Sequence, residues 1–256
     1  MRKQPTKSSF GPSHDPGGSS LRSFAKHRIL VDMVDIVKRH ATYRDYLILV
    51  VDDAALKVFS SCCKFFELYE VGIYHVEKLE KVRKRFPQSD ALYFISPTKK
   101  SVSQLCRDFN GGAGAAEGDV AVAKGGLRAA KPQYGAVHLC FTSKASDELM
   151  KTIISCKDLV PRIRSVNEIN VDFYFFEDNV FHFDKKDILP LFKIMGDERE
   201  RRVPADLAVV ENTTLMTLVT EFANKLFTVC AVYRERPYIH YQADSDFSRV
   251  FAMQVH

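Results

Sequence analysis

Residues 47–51, Leu-Ile-Leu-Val-Val, form an unbroken apolar run that ends in the acidic pair Asp52-Asp53. A short run with no polar alternation is the pattern of a parallel strand covered on both faces. The pattern predicts a first strand over 46–51 and further strands over 72–76, 91–96 and 135–141. Helical spacing fills the intervals. Residues 21–40 carry Leu21, Phe24, Ile29, Leu30, Met33, Val34 and Val37 on one side. Residues 54–63 turn Leu56, Val58 and Phe59 inward, and a helix beginning at Thr98 or Ser101 turns Val102, Leu105, Cys106 and Phe109 inward. Another helix covers 147–156. Strands alternating with helices predict an α/β fold with a parallel, doubly wound sheet.

Past Glu168 the pattern changes. Residues 171–176 read as a fifth strand, Glu177-Asp178-Asn179 as a hairpin-like turn, and 180–183 as its return. Residues 184–204 are charged and irregular, and 206–234 form a long helix stopped by Pro237. Residues 238–241 read as a strand, and 247–255 leave too little chain to complete a unit. The predicted organisation is a disordered tail over 1–20, an α/β domain over 21–168 and an incomplete second α/β domain over 169–256. The Gly/Ala-rich stretch 110–133 is expected to be a mobile insertion in the first domain.

Composition narrows the function classes. The 37 basic and 32 acidic residues interleave to a net +5, so the basic clusters at 78–85 and 199–202 read as solvated loops rather than a nucleic-acid surface. The six cysteines (Cys62, Cys63, Cys106, Cys140, Cys156 and Cys230) include no C-x-x-C pair and no zinc-ligand spacing. This predicts a reduced, cytoplasmic protein without a metal site. The longest apolar run, at five residues, is far short of a membrane span.

Catalytic readings fail on chemistry. A phosphate-binding loop needs glycines after the first strand, and Asp52-Asp53-Ala54-Ala55 offers carboxylates instead. The acidic pair does suit a receiver-like, Mg²⁺-dependent phosphotransfer pocket. The third strand, however, ends Ile95-Ser96-Pro97 without an acceptor aspartate. The serines and cysteines of 60–63 have no nearby base to activate them, and His138 with Cys140 lies among apolar neighbours. No catalytic residue and no cofactor is expected.

The run Leu49-Val50-Val51-Asp52, Leu56, Ser60-Ser61-Cys62-Cys63-Lys64, Gly72-Ile73 and Val76-Glu77 resembles the first domain of the Sec/Munc-type (SM) family. So do Ala91-Leu92-Tyr93-Phe94-Ile95-Ser96-Pro97, Lys100-Ser101-Val102, Leu105, Asp108-Phe109, His138, Phe141-Thr142 and Glu168-Ile169-Asn170. These are syntaxin-binding regulators of SNARE-mediated membrane fusion. The resemblance implies a five-stranded parallel sheet flanked by helices, then a second α/β domain. The family's long third domain is absent from these 256 residues, so a truncated product or a fragment is expected.

Carried over residue by residue, the resemblance implies syntaxin contacts at Asp52, Leu56, Lys57, Lys64, Glu77 and Lys81. It implies a second site for the extreme N-terminal peptide of syntaxin at Met150, Ile163, Val166 and Glu168, with Met150 where the family carries an aromatic ring. The expected partner is a syntaxin-type SNARE bound by a monomer that reaches membranes only through that partner. Vesicle docking and exocytosis are the expected setting.

Overall fold

The computed structural model describes residues 20–41, 47–109, 133–184, 189–190, 205–242 and 246–255. Five parallel strands make the central sheet: β1 (Leu47–Val51), β2 (Ile73–Lys78), β3 (Phe86–Ile95), β4 (Tyr134–Phe141) and β5 (Ile163–Glu168). Their order is β2-β1-β3-β4-β5. The α/β, parallel, doubly wound architecture is therefore as expected. All five residues of β1 are buried, because both faces of that strand are covered.

One face packs on α1 (Leu21–His27), α2 (Met33–His40) and α3 (Asp53–Cys62). Leu47, Leu49 and Val51 meet Ile29, Met33, Ala55, Val58 and Phe59 there, and Val171, Phe173 and Phe175 join the same cluster. The other face packs on α5 (Lys99–Arg107) and α6 (Asp147–Ser155), with Ile48, Val50, Tyr93 and Leu139 meeting Val102, Leu105, Leu149 and Ile153. Caps set three helix starts. Asp52, Thr98 and Ser146 each accept a hydrogen bond from the backbone N–H three residues on.

The single helix expected over 21–40 is interrupted by a π turn at Arg28–Asp32. There Arg28 donates to the backbone oxygens of Ile169 (2.9 Å) and Ala231 (3.1 Å), tying three segments together. A short helix that the apolar pattern missed, α4 (Phe65–Glu70), follows α3. Gly72, at φ +86°, then turns the chain into β2.

Two expected strands need correction. The fifth strand of the sheet is Ile163–Glu168, not 171–176. It is an edge strand with only two apolar side chains, Ile163 and Val166, so pairing with β4 rather than an apolar run defines it. Residues 174–177 and 180–182 form a separate antiparallel hairpin, β6 (Tyr174–Glu177) and β7 (Val180–His182). Residues 238–241 are not a strand: they leave the end of α7 (Ala205–Tyr233) with Tyr238 exposed and no partner strand among the described residues. Arg234 in the left-handed region and Pro237 together end α7. The last described element is α8 (Asp246–Val255). The tail expected over 1–20, all but Gln133 of the insertion and most of 184–204 lie outside the described residues. Among the described residues no helix is long and apolar enough to cross a membrane.

Candidate functional site

A sheet of order 2-1-3-4-5 reverses direction between β1 and β3, and the crevice at their carboxyl ends is where such folds usually seat a ligand. Asp52 fills that crevice. Its Oδ1 accepts from the Ala55 N–H (2.7 Å), and its Oδ2 accepts from the Ser96 N–H (2.8 Å), the Ser96 hydroxyl and the Ser101 hydroxyl (2.6 Å). The residue is 2% exposed. Asp53 points the other way, out to Lys78 Nζ at 2.9 Å. The two carboxylates therefore make no shared cation pocket, and the receiver-like reading is not supported. Asp52 itself is a structural pin joining β1, β3 and α5 rather than a surface contact.

Burial also holds several thiols in the protonated form. The Cys62 and Cys63 sulfurs lie 3.6 Å apart in the core, and the hydrogen bond to Cys62 together with burial pushes the Cys63 thiol far above the ordinary range. Burial raises Cys106 to about 12 and raises Cys140 as well. His138 is buried, its Nδ1 2.9 Å from the Ser165 hydroxyl and its Nε2 3.8 Å from Asp90.

The exposed chemistry lies along the β2 edge. Because α3 runs back against β1, its first turn shares one end of the domain with the carboxyl end of β2. Its last turn lies at the opposite end, near the start of β2. At the first end stand Asp53, Lys57, Lys78, Glu80 and Lys81. Asp53 pairs with Lys78, and the Asp53 N–H donates to Glu80 (3.2 Å). Lys57 is exposed and pairs with Asp184 at 3.5 Å. Leu56 is half-buried against the α1–α3 core, and Lys64 stands exposed beyond α3. A helix of ten residues is about 15 Å long, so this charged edge matches the length of a few helical turns.

Of the six contacts carried over for this face, Lys57, Lys64 and Lys81 are exposed, Leu56 is partly so, and Asp52 and Glu77 are not available. The Glu77 side chain is 9% exposed; His75 sits 3.0 Å from one carboxylate oxygen and the Tyr134 hydroxyl donates to the other. Tyr134 belongs to a buried network behind the loop that follows β2. One guanidinium nitrogen of Arg83 donates to both Asp108 oxygens (2.6 and 2.7 Å), and Tyr93 donates to the same carboxylate (2.8 Å). Burial opposes the Arg83 charge, but Tyr93 and Asp108 outweigh it and hold the guanidinium above its ordinary value. Arg83 thus leaves the basic loop and anchors it, while Lys81 stays outside. Sequence reasoning missed Asp53, Lys78 and Glu80 as members of this edge. The alternation of charge over 77–81 was the available signal.

The second set also shares a face. β5 pairing sets Ile163 beside Val137, Val166 beside Leu139 and Glu168 beside Phe141, on the α6 side of the sheet. Met150 and Ile163 pack against that core, Val166 is exposed, and Glu168 accepts from the Ala145 N–H at 3.1 Å.

With this geometry in view, comparison with known proteins is decisive. The model of the Sec1 family matches residues 47–255. This chain belongs to the Sec1 family. It is 29% identical over 234 residues to the protein transport protein sec1 of Dictyostelium discoideum, covering 91% of this chain and 33% of that protein. To the SNARE-interacting protein KEULE of Arabidopsis thaliana it is 27% identical over 232 residues, covering 90% of this chain and 30% of that protein. Among solved structures, the Unc18–syntaxin 1 complex from Monosiga brevicollis matches with a TM-score of 0.67 and 26% identity, over 93% of this chain and 35% of that one. Sly1p in complex with an N-terminal peptide of Sed5p shares the fold, at a TM-score of 0.64 and 17% identity over 92% of this chain and 37% of that one. The chain spans about a third of the length of these relatives.

Proposed function

We propose that this Sec1-family chain docks the helical bundle of a syntaxin-type SNARE along its β2 edge and so governs when that SNARE can pair during vesicle docking and fusion. The observation that carries the reading is membership of the family together with the likeness to the Unc18–syntaxin 1 complex over 93% of the chain. The chemistry is consistent with it. Lys57, Lys64 and Lys81 supply steering charge, Leu56 a partly desolvated anchor, and the network behind Lys81 a rigid support. The role is binding rather than turnover, and membrane recruitment goes through the partner. A second contact, for the partner's N-terminal peptide, rests on Met150, Ile163, Val166 and Glu168.

The test is a calorimetric titration of the purified chain with the cytoplasmic region of a syntaxin-type SNARE. Binding is expected, and Lys64→Glu with Lys81→Glu should weaken it by about 2 kcal/mol or more, roughly thirtyfold, largely through a slower on-rate at low salt. No heat and no retention of the wild-type chain at physiological salt would overturn the reading.

A further inference from the structure

α4 buries a single side chain, Leu68, and turns its rings outward. Phe65, Phe66, Tyr69 and Tyr74 fall within ten residues, and each is about half exposed, at 49%, 56%, 57% and 50%. Tyr69 and Tyr74 meet tilted at 6.1 Å between ring centroids, Phe65 leans on Phe59 at 5.5 Å, and Lys64 Nζ stands 5.9 Å over the Phe66 ring. Half of such a side chain is about 100 Å², so the strip exposes roughly 400 Å² of largely apolar surface. That is the size of the largest apolar patch on a typical monomer, which is often functional.

The strip is stiff. Glu67 accepts from the Lys64 N–H at 2.8 Å and pairs with Lys26 of α1, so the rings stand on a backbone stapled to the domain. Rings at positions 66 and 69 are neighbours on one helical face. Lys64 belongs to both surfaces: it is one of the exposed lysines of the docking edge and it stands over the Phe66 ring of the strip.

Resting on the docking reading above, we infer that this aromatic strip is the apolar continuation of the docking edge, seating the aliphatic side chains of the same helical partner. Continuity with the docking edge through Lys64 selects the occupant. The partner is an amphipathic helix that sets an acidic residue against Lys64 and, about one turn on, a Leu, Ile or Met between Phe66 and Tyr69. Leu68 holds α4 in place, and Phe65, leaning on Phe59, flanks this seat as part of the exposed strip.

The experiment is Phe66→Ala with Tyr69→Ala in the full chain, titrated with the cytoplasmic region of a syntaxin-type SNARE. The expected result is a Kd raised about tenfold or more with an unchanged urea midpoint. Unlike Lys81→Glu, the double variant should leave the salt dependence of binding as it is. In the wild-type chain, backbone amides 64–74 should exchange more slowly once the partner saturates it. An unchanged Kd, with Lys64→Glu and Lys81→Glu still weakening binding, would overturn the strip and leave the docking edge standing. Absent binding by the wild-type chain would overturn both. Unslowed exchange over 64–74, ring-dependent dimerisation in sedimentation, or ring-dependent capture by anionic vesicles would each assign the strip away from a helical partner.

Discussion

Replacing Asp52 separates a structural pin from a docking contact. Asp52→Ala removes the acceptor for two backbone N–H groups and two hydroxyls at once. The hydroxyls can turn to other acceptors, but the Ala55 and Ser96 N–H groups cannot. Losing the helix cap costs about 1 kcal/mol. Losing a charge-assisted bond to the buried Ser96 N–H costs about 1.5–3 kcal/mol. The sum is about 2.5–4 kcal/mol, a large share of the 5–15 kcal/mol that holds a typical domain together. Asp52→Asn fares better, because one amide oxygen can keep the three bonds now made by Oδ2 while its NH₂ faces the Ala55 N–H. That arrangement sacrifices only the cap, at about 1–2 kcal/mol. Urea unfolding followed by circular dichroism reads both values from the midpoint, provided the slope is unchanged. Partner affinity, corrected for the unfolded fraction, should stay within about twofold for Asp52→Asn, since the carboxylate faces inward. If Asp52→Asn lies within about 0.5 kcal/mol of wild type while weakening partner binding tenfold, the pin reasoning is wrong and Asp52 is a contact after all.

Two other perturbations test the surroundings of the docking edge. Arg83→Met should destabilise the chain by about 3–5 kcal/mol by stranding a buried Asp108, and Asp108→Leu added to it should recover at least about 1 kcal/mol; a double variant no better than the single one in urea would show that the pair is not self-contained. Burial pushes the Glu67 carboxyl up, but the Lys26 ammonium and the Lys64 N–H outweigh it and hold it below the ordinary carboxylate range. The support Glu67 gives α4 is therefore complete above the unfolded carboxylate pKa, about 4.3, and is lost as pH falls through the folded value. Amide exchange over 65–70 should accelerate on acidification in the wild type and be pH-insensitive, beyond the intrinsic rate, in Glu67→Gln.

How much of this was legible in the sequence depended on what each segment had to bury. β1, β3 and β4 are covered on both faces, so their apolar runs declared them. Only their ends moved: β3 begins at Phe86, ahead of Pro87 and an irregular register, where no apolar run marks a strand. β5 lies at the edge with alternating half-exposed residues. Its apolar content was too thin to stand out, and the richer run at 171–176 took its place in the reading. α4 is six residues long and buries one side chain, too little for helical periodicity to register. The lysines of the candidate site, Lys57, Lys64 and Lys81, are exposed, as single lysines usually are. Carboxylates are different. Asp52 and Glu77 sit among donors supplied by Ser96, Ser101, Ala55, His75 and Tyr134, residues up to 57 positions away in sequence. Nothing local in Asp52-Asp53 or Val76-Glu77 distinguishes a buried acid from an exposed one.

That burial of acids has a consequence for function. In a sheet of this order the crevice between β1 and β3 is the natural place for a nucleotide or phosphoryl site, and here it is closed by one carboxylate and the groups that donate to it. Closing it couples the ends of β1 and β3 to the starts of α3 and α5. The same principle operates one strand further out, where Arg83, Asp108, Tyr93, Tyr134 and Glu77 knit β2, β3, β4 and α5 behind the loop that carries Lys81. Both networks use polar groups that a small-molecule site would have turned toward solvent. They stiffen the domain instead, one beneath the first turn of α3 that leads to Lys57 and the other behind the loop that carries Lys81. A preset backbone loses little conformational entropy on docking. Loosening the loop from behind, as Arg83→Met does, should therefore weaken partner binding even though Arg83 is itself buried.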